Sequence, residues 1–345
     1  MKRAATYILR ILMFALAAWL LHRVLSGSDI DLKATIGNAS KPLLLLALLL
    51  YGAAQLAGAW RWELLLASHG LRLGFLNALR LTLTGEFFCL ALPGAVTGDV
   101  VKIACAAQHH PGHLADFAMV DLLDRILGLC GLLLALSLTA AIALLHPIPS
   151  GIFPPILLKT LAAICALIPL TLFFLFQIQC QLRQCRQLVR GISGILSHLP
   201  GIVAAKLREL NAAMRQQEHH RRSLFAVLAI SVGIHLLLLT GTNAAIGHAL
   251  GESSLTLRQY SLATQLSNAT GIFSVTPGGI GLRDLAAADT YRDMRAQPAS
   301  CAAAIPLVNS LVIIFWDITG ALWHTVHRRR GIPPALSSSS SPSNP

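Results

Sequence analysis

Apolar residues gather into six stretches, at 5–25, 42–60, 119–145, 156–178, 224–248 and 302–325, each near the roughly 20 residues a helix needs to cross a hydrocarbon core. Two further stretches, 81–100 (LTLTGEFFCLALPGAVTGDV) and 262–282 (LATQLSNATGIFSVTPGGIGL), match them in hydropathy. Both are interrupted by Pro-Gly, and the first carries Glu86 and Asp99. The pattern predicts an all-α polytopic membrane protein with six transmembrane helices and two Pro/Gly-broken re-entrant segments. Eight transmembrane helices, with both broken segments crossing as kinked spans, is the alternative.

Charge distinguishes between them. Basic residues flank the apolar stretches at Lys2, Arg3 and Arg10, at Arg61, Arg72 and Arg80, throughout 180–223, and at Arg328 to Arg330. Basic loops stay in the cytoplasm, which places both termini there. The uncharged connection 146–155 then lies outside, so the third span starts inside and both flanks of 81–100 are on one side. By the same reasoning 262–282 returns to the outer side. Two spans, a returning segment and one more span occur twice, the second time inverted, as half-repeats of about 1–146 and 147–330. Inverted repeats with broken segments are the architecture of many transporters, because irregular backbone at membrane depth is tolerated where protein or a watery cavity satisfies it.

The composition agrees with a lipid-facing surface: 55% of residues are hydrophobic and 12% charged, against about 25% charged in soluble domains. The net charge of +12 sits in blocks between spans, where it meets anionic lipid and not nucleic acid. Within 180–223, Ile192, Ile195, Leu199 and Ile202, then Val203, Leu207, Leu210 and Met214, recur at helical spacing and predict two amphipathic surface helices. Residues 1–330 read as one integral membrane domain. The N-terminal stretch lacks a cleavage motif and reads as an uncleaved anchor, and 331–345 (GIPPALSSSSSPSNP) as a disordered tail.

No cofactor or metal is expected. The seven cysteines form no CxxC pair, and none has zinc-ligand spacing. His109, His110 and His113 lack a carboxylate motif, and His235 stands alone in the fifth span, where a hydrogen bond to a neighbouring helix explains it. With no nucleophile, base and metal set, an enzyme is not expected.

Ionisable residues inside a membrane face a cavity or a partner, and three groups stand out. In the first, Pro93 and Gly94 end a helix, and Gly98, Asp99 and Lys102 follow, the last two on one helical face as an internal pair. In the second, Asp121 and Arg125 are four apart and can pair, leaving Asp124 to reach another segment such as the one holding Lys102. In the third, Thr276, Pro277, Gly278, Gly279 and Gly281 precede Arg283 and Asp284. Three glycines so close suit a backbone approaching a ligand or another segment, since each costs about 1 kcal/mol inside a helix. Arg283 offers a planar fork for phosphate and Asp284 a counter-charge.

On these residues the chain resembles the flippase-like membrane proteins related to the transmembrane region of lysylphosphatidylglycerol synthase. Their recurring features are an LPG…GGD-V-V-R segment, a D-R-x-x-G span start and a TPGG-x-G-x-R-E segment. Here they read Leu92-Pro93-Gly94…Thr97-Gly98-Asp99…Lys102, Asp124-Arg125…Gly128, and Thr276 to Gly281 with Arg283-Asp284. The departures are Thr97 for glycine, Lys102 for arginine and Asp284 for glutamate. The resemblance implies a bacterial inner-membrane protein that moves an anionic or amino-modified lipid between leaflets. The synthetase domain of the fused family members is absent, so lipid aminoacylation is not expected. The alternative function is a non-transporting partner of a lipid- or polyprenol-glycan-modifying enzyme, recruited by the basic loop.

Overall fold

The computed structural model describes residues 19, 37–91, 97–145, 155–181, 221–272, 274, 276–294 and 301–328. The expected span 5–25 (Trp19 apart), Pro93 and Gly94, the amphipathic loop helices and the tail lie outside them. The regular elements among the described residues are helices: α1 (Lys41–Ser68), α2 (Phe75–Ala91), α3 (Thr97–Ala107), α4 (Leu114–Leu145), α5 (Pro155–Gln181), α6 (Arg221–Gly233), α7 (Thr240–Ala249), α8 (Leu257–Ile272), α9 (Leu282–Asp293) and α10 (Cys301–Arg328). A π-turn, Ile234–Leu239, joins α6 to α7, and a short 3-10 turn, Pro277–Gly279, lies between α8 and α9.

Four helical segments are long and apolar enough to cross a membrane: Lys41–Ser68, Leu114–Leu145, Ser223–Ala249 and Cys301–Trp323. They answer to four of the six expected spans, and α5 covers a fifth with a shorter apolar stretch, Leu158–Thr171.

Contacts between the helices set their directions. The Ser40 amide donates to the Ala249 carbonyl at 2.9 Å, Gly241 meets Leu50, and Arg61 reaches Ser231, so α1 runs antiparallel to 221–249. At one end Trp62, Leu65 and Leu66 of α1 share a core with Phe117 and Val120 of α4 and Val227 of α6. At the other, Ala47 of α1 belongs to a core with Ala140 and Ala143 of α4, Leu250 beyond α7 and Cys301 at the start of α10. The ends at Ser68, Leu114, Arg221 and Arg328 therefore share one face, as the flanking basic residues lead one to expect.

Both broken segments fold back on themselves. In a continuous helix Gly85 and Gly98 would be about 20 Å apart, yet a Cβ on Gly85 would sit 3.3 Å from the Gly98 carbonyl oxygen, and one on Gly98 would collide with the Gly85 carbonyl. The hairpin closes at its open end too, where His110 Nε2 is 3.2 Å from the Arg72 carbonyl. In the second segment Ser267 Oγ donates to the Arg283 carbonyl at 2.8 Å, bringing α9 back along α8. Single cysteines at 72 and 108, in a background lacking the native seven, are therefore expected to react with an impermeant maleimide from the same side of intact membranes. A cysteine at 254, beside the opposite core, is expected to react from the other side. Separation of 72 from 108 would contradict the folded-back arrangement.

The hairpins enter from opposite ends and meet. Leu83 of α2 packs against Gly320 of α10, which sets α2 antiparallel to α10. Leu90 is seven residues further along, about 10 Å deeper at 1.5 Å per residue. There a Cβ on Gly278, in the turn of the second hairpin, would lie 3.6 Å from Leu90 Cδ1. Gly278, Gly279 and Gly281 have φ of 60°, 74° and 94°, the left-handed region that a Cβ disfavours. The Thr-Pro-Gly-Gly-Ile-Gly run is thus required by a turn whose left-handed backbone other residues resist, placed where it touches α2.

Candidate functional site

Two ion pairs tie the first hairpin to α4, and a third ties α4 to α1. The guanidinium of Arg61 grips Asp124 in a two-point fork, Nε to Oδ1 and Nη2 to Oδ2, both at 2.8 Å. Its third nitrogen donates to Ser231 Oγ at 2.9 Å, so one side chain joins α1, α4 and α6. Lys102 Nζ lies 2.7 Å from Asp121 Oδ1 and 3.9 Å from the centre of the Trp62 ring, a cation-π contact that strengthens as water is excluded. Arg125 pairs with Asp99. Lys102, Asp121 and Asp124 are buried, whereas Arg125 is exposed.

This network corrects the expected pairings. Asp99 pairs with Arg125 and not with Lys102, and Asp121 takes Lys102 and not Arg125. Asp124 does leave its own helix, as expected, but goes to Arg61. Spacing of three or four residues places two side chains on one face without making them partners. Here α3 packs against α4, and Asp99, Lys102, Asp121 and Arg125 find their counter-ions across that contact, while Asp124 finds its own on α1. Arg61 and Trp62 carry none of the three motifs. The available signal was an arginine continuing an apolar span, which reads as a flanking charge until α4 is known to lie beside it.

The second hairpin is organised by hydroxyls and backbone. Ser274 Oγ and Thr276 Oγ1 are 2.7 Å apart, and Thr276 donates to the Ile280 carbonyl at 2.7 Å. Asp284 accepts from the Gly281 amide at 3.0 Å, satisfying a donor at the start of α9, and from Ser310 Oγ at 2.7 Å. Arg283 donates to the same Ser310 at 3.3 Å. Asp284, expected as a direct counter-charge to Arg283, instead caps its helix and docks it on α10, with Ser310 between the two charges. The Arg283 Nε has no hydrogen-bond partner among the described residues.

His235 lies in the π-turn, a feature often found at functional sites. Its carbonyl, displaced from the α-helical ladder, accepts from Gln265 Nε2 at 2.9 Å and Thr240 Oγ1 at 3.1 Å. The expected link to a neighbouring helix is therefore made by its backbone; the ring Nδ1 has no partner among the described residues.

Of the sequence-predicted site residues, Gly98, Asp99, Lys102, Asp124 and Arg125 come together at the first hairpin. Thr276, Pro277, Gly278, Gly279, Gly281, Arg283 and Asp284 come together at the second. The two groups adjoin where Leu90 meets Gly278. No group of three His, Cys, Asp or Glu able to hold a metal occurs among the described residues.

A family model described as the lysylphosphatidylglycerol synthase TM region matches residues 7–316. The chain belongs to that family and is a multi-pass membrane protein. A search of curated proteins finds no match.

Proposed function

Starting from that family membership, we propose that the chain is a flippase-like lipid transporter that carries a lipid with an anionic or amino-modified headgroup between the leaflets of the bacterial inner membrane. It acts without catalysing a reaction, its partners are the lipids themselves, and both termini are cytoplasmic. The observation that carries this reading is the tip-to-tip meeting of two folded-back hairpins that start at opposite faces. We read them as re-entrant, with six crossings in all. A polar headgroup could then pass from one half to the other while acyl chains stay in lipid, and irregular backbone at that depth would be lining the path.

Arg283 is the residue whose donors point to a headgroup phosphate, because its Nε is unused. A lost hydrogen bond to a charged group is worth about 1.5–3 kcal/mol. Arg283→Gln is therefore expected to slow leaflet-to-leaflet transfer of fluorescent phosphatidylglycerol in proteoliposomes by roughly ten- to a hundredfold. Transfer by the wild-type chain no faster than in protein-free liposomes, tested with both anionic and aminoacylated lipids, would reject the transporter reading.

A further inference from the structure

Where the two hairpins meet, the charges do not balance. Arg61, Lys102 and Arg125 are matched one to one by Asp124, Asp121 and Asp99. Besides these, between that network and the hairpin tips, the described residues supply three carboxylates, Glu86, Asp284 and Asp317, against one further cation, the guanidinium of Arg283; Glu86 is also within electrostatic reach of Arg125 and Lys102, which are already paired. Asp284 is committed to Ser310 and the Gly281 amide, which leaves Glu86 and Asp317.

Both lie where α2 packs on α10, within electrostatic reach of each other. Leu79 clusters with Trp323 and Leu83 packs on Gly320, so the antiparallel register continues towards Glu86 and Asp317. Asp317 is 4% exposed, and its Oδ1 has no hydrogen-bond partner among the described residues. Glu86 is exposed and makes no ion pair among the described residues. Glu86, Arg283 and Tyr51 are the ionisable groups within electrostatic reach of Asp317. Arg80, six residues before Glu86, is about 9 Å along the helix and some 240° around it. A carboxylate so buried is costly without a counter-ion, and one with an open neighbour beside it makes a place for a cation.

We propose that Glu86 and Asp317 form a binding site for one monovalent cationic group, with Glu86 at the mouth and Asp317 behind it. The cation is either the ammonium of an amino-bearing lipid headgroup or a free alkali ion that accompanies transport. This rests on the transporter reading for its purpose but not for its existence. Neither residue belongs to the motifs that carry the family resemblance. Arg283, across the site, is placed to bind the phosphate of the same headgroup, so a lipid carrying both charges would bridge the hairpin tips.

The test is thermal unfolding of the purified full-length chain in phosphatidylcholine nanodiscs, titrated with lysyl-phosphatidylglycerol, with phosphatidylglycerol, or with sodium chloride against N-methylglucamine chloride. Wild type should be stabilised by the aminoacylated lipid in sodium-free buffer if the headgroup is the source, or by sodium alone if a free ion is. Asp317→Asn and Glu86→Gln should each weaken that response at least tenfold, while Asp317→Glu retains most of it and the response to phosphatidylglycerol is unchanged. If both neutral variants keep the wild-type response to every cation, or wild type responds to none, the proposal is overturned. Leaflet-to-leaflet transfer by the wild-type chain is measured separately. A chain that binds the cation through Asp317 yet moves no lipid upholds the site and rejects the transporter reading, and the converse result does the opposite.

Discussion

Replacing Arg61 with alanine is expected to destabilise the protein by about 3–5 kcal/mol, the usual cost of leaving one member of a buried ion pair uncompensated. Arg61 and Asp124 side chains are 15% and 10% exposed, so little water is available to replace the guanidinium. Ser231 suffers less, since its hydroxyl also donates to the Val227 carbonyl at 2.9 Å. The double variant Arg61→Met with Asp124→Leu removes both charges and is expected to recover most of the loss, because packed apolar groups often replace a buried pair at no cost. Unfolding in mixed detergent micelles, run as a double-mutant cycle, reads the coupling directly. Additive losses from the two single variants would mean that the fork does not couple α1 to α4.

The second large effect is steric. Gly98→Ala is expected to cost about 1–3 kcal/mol, the range for overpacking a close contact, since the new Cβ would strike the Gly85 carbonyl and the two helices of the hairpin would have to separate. Gly85→Ala, on the other side of the same contact, places its Cβ 3.3 Å from the Gly98 oxygen and 3.4 Å from Lys102 Cβ, and needs a shift of only a few tenths of an ångström. The predicted order is therefore asymmetric. Gly98→Ala should lower the unfolding temperature clearly and shift Asp99 and Lys102 from their partners, with Gly85→Ala nearly silent. Equal effects would mean that the hairpin is looser than the contact implies.

Some of this was readable along the chain. The apolar stretches at 42–60, 119–145, 224–248 and 302–325 fall on α1, α4, the α6–α7 segment and α10, because length and hydropathy are local properties that a bilayer reads directly. The interruptions at 92–96 and 273–281 were visible as proline and glycine between apolar runs, for the equally local reason that these residues end helices or permit left-handed backbone. The distribution of arginine assigned the same face to the ends that the packing brings together. The family followed from three short motifs whose order survives in the fold.

The partners of the charges were not readable. Asp99, Lys102, Asp121 and Arg125 were paired by spacing within their own helices, yet each is satisfied by another helix. Arg61 looked like a flanking charge and is the centre of a three-helix junction, and Asp317 belonged to no motif. Sequence spacing determines which face of a helix a residue occupies. Which residue stands opposite depends on the register between helices, and at Gly85 with Gly98, and Leu83 with Gly320, that register comes from close backbone contact between segments distant in sequence. The sequence alone determined that this is a polytopic membrane protein broken twice at proline and glycine. Tertiary structure alone decided that Leu90 of the first segment meets Gly278 of the second, that three cations are matched to three carboxylates, and that Glu86 and Asp317 are left over. A pairing of charges in a membrane minimises unpaired charge over the whole assembly and cannot be decided one helix at a time.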